Sequence, residues 1–404
     1  MAASVAGSLA VFLVGTLAVQ MRTSLHFGTS ALGGAVSLYY LAAAVGSLPF
    51  GRLAERVGGI RVMRVATPAA AATLGLIAAF ANSWLALAAP PAAAGFASSA
   101  IQPATNLFLA RRMPSARQGL AFGVKQASVP SAAALGGLAV PVLALTIGWR
   151  AAFAIAAALA ALAAALLPRP RVSLAERRAR RVPQPTPGGA RFPLIVLAVG
   201  FGLGVFAATG LTAFIVTSAV HARISKGGAG LLAALGAAIA ASVRVITGAR
   251  ADRRGRAHLR VVATMLGVGS VGYAVLAIGV ARDMHALLIG GAVVAFAAGW
   301  GWNGLFVFAV VRSHPEAPAR ATSITQVSGR LAGVVGPLGF GLLATHGSFA
   351  DAWSADAAAA FLAAVVLLYG RRLLLRSPAG RTRAEAGVDW PIGAEELLRA
   401  DSVP

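Results

Sequence analysis

Apolar stretches of 17 to 28 residues return about every 34 residues along the whole chain, parted by short breaks that carry arginine. A helix needs roughly 20 apolar residues to cross about 30 Å of hydrocarbon, so this pattern points to a chain that crosses a membrane many times. Twelve spans are read from it, over 3–22, 30–50, 65–82, 85–110, 118–145, 149–167, 193–220, 228–249, 261–281, 285–311, 321–345 and 354–370. Membrane strands would need polar and apolar residues to alternate. These runs are instead rich in Ala, Leu and Val, with Gly and Pro interspersed as membrane helices tolerate. The fold class read is an all-α membrane protein of twelve transmembrane helices in two pseudo-symmetric six-helix bundles.

Composition removes the other classes. Charged residues make up 12% of the chain against roughly 25% in soluble domains, and the mean hydropathy is +0.78. Such a chain is too apolar for a soluble globule or a disordered one. The absence of cysteine excludes disulfides, thiolate metal sites and a cysteine nucleophile. A net charge of +23 would fit nucleic acid if Lys and Arg shared a solvated face with aromatic residues, but here they sit between spans. With the N-terminus inside, 27 of the 35 cations fall on the cytoplasmic side and 5 on the other, so both termini are read as cytoplasmic. No charged n-region precedes the first span and a second span follows at once, which argues against a signal peptide.

Residues 168–192 are polar, basic and Pro-rich, and read as a cytoplasmic linker. They divide a six-helix bundle over 1–167 from another over 193–370, with a cytoplasmic tail over 371–404. The Ala- and Arg-rich, Lys-poor usage fits a high-GC bacterium and hence its cytoplasmic membrane.

The halves repeat. Gly51-Arg-Leu-Ala-Glu55-Arg56-Val-Gly58 at the end of the second span returns 197 residues later as Gly248-Ala-Arg-Ala-Asp252-Arg253-Arg-Gly255 at the end of the eighth. At the same offset Asn106 of the fourth span answers Asn303 of the tenth. Parallel repeats of this kind build transporters whose substrate site lies near the bilayer midplane. The motif resembles the signature of the major facilitator superfamily, Gly-x-x-x-Asp/Glu-Arg/Lys-x-Gly followed by basic residues. The first copy departs from it, with Gly59 and Ile60 where cations are usual. The resemblance covers nearly the whole chain and implies a transporter working by alternating access. It also implies a gating role for Gly51, Glu55, Arg56, Gly58, Gly248, Asp252, Arg253 and Gly255. In that role Glu55 would pair with Arg111 or Arg112, Asp252 with Arg312, and both acids would lie against helix N-termini, where an anion gains about 0.3–1 kcal/mol.

Lys125, Arg244 and Arg330 fall within spans, where a charge costs at least about 2.5–3.5 kcal/mol and normally faces a cavity and a partner. All twelve acids, Asp356 included, are counted outside the spans, so no intramembrane carboxylate is expected to relay protons or neutralise these cations. An anionic substrate is the expected partner. Snorkelling competes for Arg244 and Lys125, and main-chain carbonyls of a broken helix compete for Arg330. Gln102, Asn106, Gln126, Gln326, Asn303 and Trp302 complete the expected substrate-binding set, with hydrogen bonding between helices as the alternative. The resemblance places the cavity on the first, fourth, seventh and tenth helices, which favours Asn106 and Asn303.

No phosphate-binding Gly-x-x-x-x-Gly-Lys-Ser/Thr loop, metal spacing or buried catalytic triad is read, so neither an enzyme, an ATP-driven pump nor a cofactor is expected. The function read is secondary transport of a small solute, an organic anion, with protons or a counter-anion as possible co-substrates. A proton-coupled exporter of amphipathic drugs or natural products is the alternative. The expected partners are the cargo and the lipid bilayer, with no nucleic acid and a monomeric chain.

Overall fold

Hydrocarbon offers no water to the backbone, so each peptide N–H and C=O must be satisfied inside its own segment. The computed structural model describes residues 1–17, 21, 24–25, 29–144, 146–169, 191–254, 258–315 and 317–376. These residues form helices and no strand. In chain order they are α1 (Ala2–Thr16), α2 (Thr29–Val57), α3 (Gly59–Phe80), α4 (Trp84–Arg112), α5 (Gln118–Gln126) and α6 (Ser128–Ala139). A π-helical turn, Val140–Ala144, leads on to α7 (Trp149–Ala165). Then come α8 (Arg191–His221), α9 (Lys226–Arg254), α10 (His258–Ala281) and α11 (His285–Val294). A second π-helical segment, Ala295–Trp300, joins α11 to α12 (Asn303–Ser313), and α13 (Pro318–His346) and α14 (Phe349–Arg376) follow.

Eight helices among the described residues are long and apolar enough to cross a membrane. Most helices overrun the spans read from hydropathy. For example, α2 runs to Val57 and α14 begins at Phe349, where the expected limits were 50 and 354. Hydropathy marks only the hydrocarbon layer, whereas helical hydrogen bonding continues into the interface. Two expected spans are interrupted. The one over 118–145 breaks between α5 and α6, and the one over 285–311 carries the π segment. Most of the 168–192 linker and the tail beyond Arg376 lie outside the described residues.

The described residues pack as two compact units, Met1–Arg112 with Ala127–Gln184, and Met113–Gln126 with Pro185–Pro404. In the first, Leu13, Leu74, Ile77, Tyr39 and Phe153 are buried among alanines. In the second, Leu211, Tyr273, Leu276, Phe296, Phe340 and Trp353 form the core. Large apolar residues face outward in both: Val65 and Leu166 are each 74% exposed and Phe361 62%. That would be a liability in water. In lipid no hydrophobic force draws leucines inward, so the interior goes to small residues that let backbones approach.

Gly95 of α4 shows how tight that approach is, since a Cβ there would collide with the Tyr39 carbonyl of α2. Gly95→Val should therefore destabilise the protein by about 1–3 kcal/mol through overpacking. The check is the melting temperature of the detergent-solubilised protein, which should fall for Gly95→Val. Gly137→Ala, with open space at its Cβ, should show no fall.

Candidate functional site

The repeated motif lies mostly on helix. At the end of α2, Gly51 is buried and Arg56 exposed, and Glu55 Oε2 accepts a hydrogen bond from Arg111 Nη2 at 3.1 Å. Arg111 and Glu55 keep 39% and 18% of their side-chain surface, so water screens this pair. Gly58 turns the chain into α3 with φ at 96°, a backbone region that side chains disfavour.

The second copy is built differently. Asp252 of α9 accepts from the backbone N–H groups of Gly119 and Leu120, at 2.5 and 2.8 Å. These belong to the first turn of α5, where helical N–H groups lack partners and the dipole favours an anion. Asp252 thus meets a helix terminus rather than Arg312, whose guanidinium stands 5.8 Å from the Phe308 ring centre. The contact depends on glycine. A Cβ on Gly119 would strike the carbonyl oxygen of Gly248, and one on Gly248 that of Gly119. Arg253 is exposed, and Gly255 lies outside the described residues.

Along the same helix pair sits the basic cluster. Lys125 and Arg244 are each 1% exposed, and both Arg244 and Arg330 lie within electrostatic reach of Lys125. Arg244 has found main-chain partners, since Nη1 donates to the Gln126 carbonyl at 2.7 Å and Nη2 to the Trp300 carbonyl at 3.0 Å. Both carbonyls stand where helical pairing lapses, at the end of α5 and of the π segment. A helix that stops leaves such oxygens without intrahelical donors. The guanidinium also lies 4.9 Å from the Trp300 ring centre. Lys125 Nζ donates to Gln126 Oε1 at 2.7 Å, and Gln126 Nε2 donates to Asn303 Oδ1 at 2.5 Å. Lysine and two amides therefore form one chain of polar groups. Arg330 is half-buried on α13, one helical turn from the half-buried Gln326 and on the same face.

The structure thus brings together Lys125, Arg244, Gln126, Asn303 and Arg330 in the second unit. Trp302, expected at the substrate, packs instead: it is 1% exposed, donates from Nε1 to the Gly299 carbonyl at 2.8 Å, and meets Phe201 edge-on at 5.5 Å. Gln102 and Asn106 belong to the first unit, buried on one face of α4. The Asn106 amide has no hydrogen-bond partner among the described residues.

One expectation is overturned. Asp356, counted above outside the spans, is 1% exposed inside α14 and is a buried acidic residue of the second unit. It stands third in the expected span over 354–370, and because α14 begins at Phe349 it lies a further five residues from the helix start. Sequence reasoning also missed the main-chain acceptors of Arg244. The alternation Gly299-Trp300-Gly301-Trp302 was the available signal of an irregular helix there.

A profile of the Major Facilitator Superfamily matches residues 1–277. No curated protein sequence matches. Among solved structures, the human organic anion transporter MFSD10 (TETRAN) is similar with a TM-score of 0.71 at 16% identity, over 90% of this chain and 98% of that one. The proton:xylose symporter XylE bound to 6-bromo-6-deoxy-D-glucose is similar with a TM-score of 0.71 at 15% identity, over 98% of this chain and 97% of that one.

Because Arg244 satisfies two freed carbonyls, Arg244→Met should destabilise the protein by roughly 3–6 kcal/mol, two charge-assisted bonds at about 1.5–3 each. Thermal unfolding in detergent checks this. Arg244→Lys should recover only part, since an ammonium lacks the planar fork that spans two acceptors.

Proposed function

Since this chain belongs to the major facilitator superfamily and is a secondary transporter of that type, we propose that its cargo is a small organic anion, bound at the basic cluster of Lys125 and Arg330. Arg244 shapes this site, its Nη1 and Nη2 donating to the Gln126 and Trp300 carbonyls while its buried Nε has no hydrogen-bond partner among the described residues. The carrier works by alternating access, with twelve spans in two six-helix bundles, in a bacterial cytoplasmic membrane with both termini inside.

The observation that carries this reading is the convergence of three cations within membrane-crossing helices. Like charges repel strongly in a low dielectric. A bound anion relieves that repulsion, and it gains most where Lys125, Gln126 and Asn303 already hold their donors in a fixed chain. Gln326, on the face of α13 that carries Arg330, adds a neutral polar group. Export of amphipathic drugs, the competing reading, would use these cations for packing alone.

The test is uptake of radiolabelled mono- and dicarboxylates into proteoliposomes. Lys125→Gln and Arg330→Gln should each lower uptake on the order of 10- to 100-fold, the equivalent of one lost charge-assisted hydrogen bond. Both variants should fold. Unchanged carboxylate uptake in both, or efflux of a fluorescent organic cation in place of carboxylate transport, would reject the anion reading.

A further inference from the structure

The acid counted above outside the spans has surroundings that give it a function of its own. Asp356 lies about 10 Å along the axis of α14 from Phe349, inside a membrane-crossing helix. Its walls come from three other helices. Gly210 of α8 makes the room, since a Cβ there would collide with Asp356 Oδ2. Phe340 of α13 closes another side, packed edge-on against Trp353 at 4.7 Å. From α10, Tyr273 stacks on Trp353 at 6.3 Å and lies within electrostatic reach of Asp356. Asp356 Oδ2 and Tyr273 Oη are both buried, and neither has a hydrogen-bond partner among the described residues.

Tyr273 is the ionisable group that faces Asp356. The other ionisable residues of the packed elements stand elsewhere along them. On α8 they are Arg191 and His221, at its ends, and His221 lies 5.0 Å from the Phe349 ring. On α10 they are His258 and Arg260 in the first turn; on α13, Arg320, Arg330 and His346. On α14 itself Asp351 is engaged by the N–H and hydroxyl of Ser348, and the exposed Tyr369 with Arg371, Arg372 and Arg376 lies toward the far end.

We propose that Asp356 is a reversible proton-binding site of the second unit, neutral in the packing seen here and ionised when that packing opens to water. A bare carboxylate among Phe340, Trp353 and Tyr273 would carry a large desolvation penalty, whereas the acid form avoids most of it. When the helices part, the O–H bond of the acid breaks, the proton passes to water, and the Tyr273 hydroxyl is at hand to donate to the carboxylate left behind. Closing the packing reverses the transfer. A carrier that alternates between two packings thereby acquires a group whose proton affinity alternates with them.

The position also joins this site to the basic cluster. The Tyr273 ring abuts Gly299, where a Cβ would come within 2.8 Å of Cε2 and 3.0 Å of Oη. Gly299 belongs to the π segment whose last carbonyl, that of Trp300, accepts from Arg244. A movement of Tyr273 is therefore felt one residue from an anchor of the cluster. The proton site does not depend on the cargo being an anion.

The experiment is infrared difference spectroscopy of the full-length protein in lipid vesicles, stepped from neutral to alkaline pH with no cargo present. At neutral pH the exposed carboxyls are ionised, so a carboxylic-acid C=O band reports a buried acid. The expected result is such a band in the wild type, lost on raising the pH, and absent from Asp356→Asn. Asp356→Glu, a second variant, should keep an acid band at a shifted frequency, so the assignment survives even if Asp356→Asn fails to fold. No neutral-pH band in the wild type, a band that Asp356→Asn retains, one that Asp356→Glu leaves unmoved, or one that persists to the alkaline limit of the folded state would overturn the proposal.

Discussion

A guanidinium held between two main-chain oxygens is the interaction on which the interior of the second unit depends. Arg244 donates to the carbonyls of Gln126 and Trp300, one where α5 ends and one where the π segment ends. Each of those breaks would otherwise leave a peptide oxygen without a partner at a depth where no lipid can supply one. The same bonds fix the last turn of α5, and with it Lys125 and the amide of Gln126. A buried positive charge, costly in hydrocarbon, thus becomes the means by which two irregular helices are held in place.

Glycine sets the distance at which this works. Gly119 and Gly248 face each other, Gly123 faces the Arg244 carbonyl, and Asp252 closes the first turn of α5. The repeated motif therefore carries different loads in its two copies. In the first, Glu55 makes a partly exposed ion pair with Arg111; in the second, Asp252 binds backbone N–H groups directly. Spacing in sequence is the same, and the physical partners are not.

That difference marks what could be read in advance. Hydropathy and charge bias revealed the helices and the three cations, because both follow from the bilayer alone. The pairing of Glu55 with Arg111 followed from the motif. So did the helix N-terminus that Asp252 meets, though not its detachment from Arg312. The partners of Arg244 did not, since main-chain oxygens leave no residue code and become free acceptors only where a helix happens to break. Trp302 looked like a binding residue for its polar nitrogen, which the Gly299 carbonyl takes up locally. Asp356 was not hidden by hydropathy: it is the third residue of the expected span over 354–370 and was counted outside it, and the earlier start of the helix at Phe349 sets it seven residues inside.

Two polar centres thus share one unit, a basic cluster bridged to helix breaks and a carboxyl sealed among aromatic rings, with Tyr273 and the π segment between them. The decisive claim is that the basic cluster holds an anion. Anomalous diffraction from crystals grown with a brominated carboxylate tests it at atomic position. Bromine density within contact distance of Lys125 and Arg330 is the predicted result. Density found only at surface arginines, with the cluster empty at saturating ligand, would contradict it.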